Sequence, residues 1–164
     1  MSNMIELLEQ SWEKGRLPIM QGIVKKDGLY YEIKYEENRM KTANPIPFSF
    51  DFTEDDFSEI DSFFKTTINN YTLYYGEGSW GGDGFIYIED TKTKQLLWCL
   101  FDDRINPIMK CSISKDKLIA ENNNSIQYIF DFQNPENFNL LLKVVLCGMV
   151  ERLIQGVLFI FGGS

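Results

Sequence analysis

Between Asn70 and Phe132 the sequence breaks into six short apolar runs separated by turn residues, and this rhythm limits the fold more than any other feature. The runs fall at 71–76, 84–90, 95–102, 107–113, 117–121 and 125–132. Between them stand Gly81-Gly82, Thr91 to Thr93, Asp103 to Asn106, Ser114 to Asp116 and Asn122 to Asn124. Consecutive short strands joined by such turns pair as an antiparallel meander. The 13 Phe, 8 Tyr and 3 Trp suit a sheet with a filled apolar face. At 164 residues the chain fits one domain, 1–164, with a sizeable core.

Helices are expected at three places, which makes the predicted class α+β: a meander of about six or more strands with N-terminal, middle and C-terminal helices packed on it. Met4, Ile5, Leu8 and Trp12 follow helical spacing, with Ser2 or Asn3 as cap and Gly15 as stop. Asp27-Gly28 then marks a hairpin between Ile23-Val24 and Leu29 to Tyr35. Pro45 and Pro47 mark an extended connection or a sheet edge. Thr53 with Asp56 approximates a capping box, and Phe57, Ile60, Phe63 and Phe64 would share one helical face. From Leu140 to Phe161 the chain is nearly all apolar and long enough for a membrane span. Lys143, Glu151, Arg152 and Gln155 interrupt it, which favours a helix packed on the sheet; a span and a docking tail are the alternatives.

Charge and composition remove several function classes. The formal net charge is -8, a surface that repels nucleic acid and anionic membranes and attracts a basic partner. The absence of histidine removes the commonest general base and the commonest zinc ligand. Cys99, Cys111 and Cys147 form no CxxC pair, so neither a metal site nor a secreted disulfide framework is expected. The first residues carry Glu6, Glu9 and Glu13 in place of a basic n-region, so no signal peptide is expected and the cytoplasm is the expected location.

Gly76, Gly78 and Gly81 spell G-x-G-x-x-G, the spacing of a phosphate-cradling loop. That motif needs a helix N-terminus after it, and "GFIYIED" alternates like a strand instead. A kinase-type loop would need a V-A-I-K lysine, H-R-D and D-F-G, and these are missing. The glycines are therefore expected to relax a turn between antiparallel strands, with Trp80 at its tip and no cofactor.

The acids offer two readings. "DFTEDDFSEID" places Asp51, Glu54, Asp55, Asp56, Glu59 and Asp61 within eleven residues without a base. It is either a solvated face or an electrostatic footprint for a basic protein. Trp80, Asp83, Asp102 and Asp103 complete the candidate partner-binding set, at strand ends. Glu77, Asp83, Asp102 and Asp103 could alternatively run acid–base chemistry in a small enzyme or ligand-binding domain.

The stretches "GEGSWGGDGFIYI", "KQLLWCLFDDRINPI" and "ENNNSIQYIFDFQNPENF" resemble small immunity proteins of bacterial polymorphic-toxin systems. The resemblance covers roughly residues 70 to 138. It implies a cytoplasmic, non-enzymatic domain that binds a cognate toxin tightly, and the acidity suits a basic nuclease toxin.

Overall fold

The computed structural model describes residues 3–36, 39–49, 51–60, 62–79, 81–144, 150–153 and 158–159. The chain opens with α1 (Met4–Glu13), where the Asn3 side chain accepts the Ile5 N–H at 3.1 Å. Gly15 follows at φ +73°, a left-handed conformation that suits glycine and turns the chain out of the helix. Among the described residues, everything after it is extended apart from turns and one 3₁₀ turn.

The strands are β1 (Arg16–Pro18), β2 (Gly22–Lys25), β3 (Leu29–Glu36), β4 (Arg39–Thr42), β5 (Ile46–Pro47), β6 (Phe57–Glu59), β7 (Ser62–Ile68) and β8 (Tyr71–Glu77). They continue as β9 (Gly84–Asp90), β10 (Leu96–Asp102), β11 (Ile108–Ser114), β12 (Lys117–Asn122), β13 (Ile126–Asp131), β14 (Phe138–Val144), β15 (Val150–Leu153) and β16 (Leu158–Phe159). The six runs between 71 and 132 become β8 to β13, each within a residue of its expected bounds.

These strands form two large antiparallel sheets, where the sequence suggests one meander. The first runs β4-β3-β2-β10-β9-β8-β7, with β5 paired to β3. The second runs β11-β12-β13-β14-β15-β16. A short third layer pairs β1 with β6. The chain changes sheets at Asp103–Pro107, and β10 pairs instead with β2 near the N-terminus, Trp98 opposite Lys25.

The central strands of the first sheet, β9 and β10, are buried on both faces. Ile86, Ile88, Trp98 and Leu100 face the second sheet and pack with Leu118, Ala120, Tyr128 and Phe130. Phe85, Tyr87, Cys99 and Phe101 point the other way and pack with Ile5 and Leu8 of α1, Leu17 of β1 and Ile60. Such double coverage explains why β9 and β10 lack the polar alternation of a half-exposed strand. Full burial of each Phe or Leu favours folding by about 1.5–3 kcal/mol. A register shift between Leu96 and Trp98 puts Leu97 and Trp98 on the same face. Between the large sheets, the Trp98 indole N–H donates to the Phe132 carbonyl at 2.9 Å. Lys25 of the first sheet meets Glu136 beside the second at 3.1 Å.

The α+β expectation is thus corrected: among the described residues the protein is mostly β with one α-helix. The middle helix is a single 3₁₀ turn, Glu54–Asp56. Its capping chemistry is present, since Asp56 Oδ2 accepts the Thr53 N–H at 2.6 Å and its hydroxyl at 2.8 Å. The chain then extends at once, because Phe57 and Ser58 pair with Pro18 and Leu17. Phe57, Ile60, Phe63 and Phe64 share no face: Ile60 is buried, whereas Phe63 and Phe64 are 48% and 47% exposed on an edge strand.

The expected C-terminal helix is likewise strand wherever it is described. Ile126 to Phe130 pair with Phe138 to Leu142, and Leu141 to Val144 pair in turn with Val150 to Leu153. The register sets Lys143 opposite Glu151, so two of the charges that interrupt the apolar run stand across from each other on adjacent strands. Leu158 and Phe159 pair with Leu153 and Arg152, and the rest of the run, including Gln155, lies outside the described residues. Among the described residues no helix is long and apolar enough to cross a membrane.

Candidate binding site at the loop end of the large sheet

The glycine stretch connects β8 to the antiparallel β9, and no helix follows it. Its centre is Asp83, which is fully buried. Asp83 Oδ1 accepts the Gly78 N–H at 3.1 Å and Oδ2 accepts the Ser58 hydroxyl at 3.3 Å. Ser58 Oγ in turn accepts the Ser79 N–H at 3.2 Å. A Cβ at Gly78 would collide with both Ser58 Oγ and Asp83 Oδ2. That glycine is therefore required by close packing around a carboxylate of the protein itself.

The β10–β11 turn lies against this loop, and the Asn106 N–H donates to the Gly82 carbonyl at 3.0 Å. Asp102 is fully buried and held by Arg104 in a bidentate pair, Nε to Oδ1 at 3.0 Å and Nη2 to Oδ2 at 2.8 Å. The Arg104 N–H adds a third bond to Oδ1 at 2.8 Å. The guanidinium also donates to the Ile33 carbonyl at 2.9 Å and lies 3.9 Å from the Tyr35 ring centroid. Burial pushes the Asp102 carboxyl above the ordinary aspartate value, and the Arg104 bonds oppose that push. Burial, followed by the charge of Asp102, raises the phenols of Tyr35 and Tyr128. Asp103, next in the chain, turns outward with its side chain 52% exposed.

Ile19, Gly82, Asp83, Phe101 and Asp103 line a cleft of about 320 Å³ between the two loops. The Ile19 N–H donates to the Asp56 carbonyl at 2.7 Å, which joins the acidic turn to the cleft. The fold thus brings Asp83, Asp102 and Asp103 together at one end of the large sheet, and the acidic turn is joined to them through the Asp56 backbone. Asp55 is exposed, while Asp56 is committed to Thr53, whose N–H and hydroxyl hold its carboxyl below the usual value. Asp51 and Glu59 are exposed, and no described contact ties them to the cleft; Glu59 stands opposite Arg16. Glu77 is half-buried, opposite Ser62. The Glu54 side chain, Asp61 and Trp80 lie outside the described residues.

A second cleft goes beyond what the sequence pattern indicates. It measures about 480 Å³ and is lined by Trp12, Phe63, Tyr74 and Tyr87 together with Glu9, Glu13, Glu89 and Lys94. Trp12 stacks on Tyr87 at 4.4 Å and meets Tyr74 edge-on at 5.0 Å. Glu89 is buried and accepts both the Tyr74 hydroxyl and the Lys94 ammonium at 3.1 Å. Burial, then the Glu89 charge, pushes the Tyr74 phenol up to about 12. These residues come from four separate segments; the one local signal is Glu9 and Glu13 beside Trp12 on a short helix.

Among the described residues no group of three His, Cys, Asp or Glu side chains could hold a metal ion. Comparison with protein-family models, curated proteins and solved structures finds no match to the chain.

Proposed function

We propose that the chain is a non-enzymatic protein-binding domain whose loop end takes a basic surface of a protein partner. The specific form of this reading is an immunity protein that neutralises a cognate toxin in the cytoplasm, with a basic nuclease as the toxin class its charge suits. The observation that carries it is the division of labour among the acids. Asp83 and Asp102 are buried, and every oxygen of both accepts an internal bond, from Gly78 and Ser58 and from Arg104. Asp103 faces solvent beside a cleft whose lining includes Ile19 and Phe101, and exposed Asp55 precedes Asp56, whose carbonyl takes the Ile19 N–H. Carboxylates bonded inward in this way serve as scaffold in this reading, and an outward acid beside an apolar floor suits a basic surface with an apolar anchor. The net charge of -8 would add long-range attraction.

The test pairs the protein with the product of the adjacent gene and measures association by stopped flow. Asp55→Asn with Asp103→Asn should slow association about tenfold at low salt, with the loss shrinking as salt rises. Dissociation should change little, because rim charges steer encounter. A double variant that associates at the wild-type rate in low salt would sink this assignment of the loop end.

A further inference from the structure

We propose that the cleft between α1 and β7–β9 binds an organic cation, a guanidinium or alkylammonium group on an aliphatic chain. This cleft shares no lining residue with the one at the loop end, and the proposal stands apart from the function proposed above. Its walls are aromatic: Trp12 is backed by Tyr87, and Phe63 approaches Trp12 at 5.8 Å and Tyr74 at 5.6 Å. Its charge is negative, with Glu9 and Glu13 one helical turn apart on α1, Glu89 on β9, and Lys94 as the one base in the described lining. Aromatic faces and carboxylates in one cleft attract a cation through ring quadrupole and charge together. Glu9 accepts the Leu96 N–H at 2.7 Å and Glu89 accepts Tyr74 and Lys94, each through one oxygen, so both keep acceptor capacity that a cation uses and a neutral apolar ligand does not. The volume of about 480 Å³ falls in the range of small-ligand sites.

The protein's own lysines already use this chemistry. Lys94 Nζ stands 3.1 Å from Glu89 Oε1, and Lys65 Nζ lies 5.5 Å from the Tyr74 ring centroid. The Lys94 side chain is 57% exposed against 6% for Glu89, so an incoming cation can exchange for an ammonium that remains largely in water.

The cation has two candidate sources, a free small molecule or a side chain of a basic peptide. Titration calorimetry with the full chain would use Nα-acetyl-arginine amide, a hexa-arginine peptide and, as neutral control, the citrulline analogue. The Trp12 indole N–H resonance, assigned with Trp12→Phe, reports occupancy. Acetyl-arginine amide should bind with a millimolar constant and move that resonance, and the citrulline analogue should not. Peptide binding more than about tenfold tighter per arginine identifies a peptide source; equal binding identifies the free cation.

Lys94→Asn removes the internal competitor and should tighten binding severalfold; asparagine suits the left-handed φ of +63° there. Glu89→Gln should weaken binding at least tenfold. If that variant fails to fold, Phe63→Ala decides, since Phe63 is half exposed, and it should weaken binding about fivefold. Asp116→Asn, an exposed acid outside both clefts, should leave the affinity unchanged. No Trp12 shift at about 50 mM acetyl-arginine amide would overturn the proposal, as would wild-type affinity in both Lys94→Asn and Phe63→Ala.

Discussion

The side chains of Ser58 and Asp83 meet in the interior, hydroxyl to carboxylate at 3.3 Å, across a sequence separation of 25 residues. Both are fully buried. This contact fastens the short β1–β6 layer to the loop that closes β8 on β9.

Asp83→Ala should therefore destabilise the fold by about 2 kcal/mol, because the buried Gly78 N–H loses its acceptor and the Ser58 hydroxyl keeps only its 3.4 Å contacts to Glu59 and Ser79. Asp83→Asn keeps the shape and one carbonyl acceptor, and should cost about 1 kcal/mol. Gly78→Ala should cost about 1–3 kcal/mol through its collision with the same two side chains. Urea unfolding midpoints measure all three; an unchanged midpoint for Gly78→Ala would contradict the packing described.

Trp98→Phe should destabilise by about 1–3 kcal/mol. Phenylalanine fills most of the space but leaves the Phe132 carbonyl without the indole N–H that reaches it at 2.9 Å. The change should also speed hydrogen exchange between the two large sheets more than at the β7 edge. Exchange mass spectrometry resolves the two regions.

Arg104→Leu should destabilise more than Asp103→Asn, although both residues lie in one turn. Removing Arg104 strands the buried Asp102, whereas Asp103 is half exposed and 3.8 Å from the same guanidinium. A fully buried pair loses about 3–5 kcal/mol on such a break, and the solvent-facing part of Arg104 lowers this to about 2 kcal/mol. Asp103→Asn should stay within about 0.5 kcal/mol of wild type. Parallel thermal and urea unfolding of the two variants gives the comparison.

Asp90 supplies a pH dependence of known sign. Its carboxylate accepts the N–H groups of Thr93 at 2.8 Å and Lys92 at 2.9 Å, which holds its pKa below the ordinary 3.8. A depressed folded-state value means stability that is present above the unfolded value and lost as pH falls through the folded one. The wild type should exceed Asp90→Asn in stability near neutral pH. The gap should close as acid protonates the wild-type carboxylate. A gap that widens in acid would show that Asp90 does not cap this turn.

Six strands, the α1 cap and the Asp27-Gly28 turn are legible in local sequence patterns. Each depends on residues that are neighbours along the chain, such as Asn3 beneath Ile5. Expectation and fold part company where distant partners decide. Phe57, Ile60, Phe63 and Phe64 fit a helical period, but β1 claims Phe57 and Ser58, and β8 claims Phe63 and Phe64. Tertiary pairing outweighs a pattern of four residues. Similarly, Asp83 and Asp102 look like solvated turn acids in the sequence. Only the arrival of Ser58 at Asp83, and of Ile33 and Tyr35 at the Arg104 that holds Asp102, shows them to be interior pegs. Asp103 stands beside Asp102 and has the same local signature, yet it faces water.

The pairing of β2 with β10 also shapes how the chain can be made. Seventy-three residues separate Lys25 from its partner Trp98. During synthesis, β2 leaves the ribosome on the order of 4–15 s before β10 exists. For that interval Ile23 and Val24, both fully buried in the finished protein, have no β10 strand to pair with. A nascent chain arrested before Leu96 should therefore bind holdase chaperones through β2, and one released past Asp102 should let go of them.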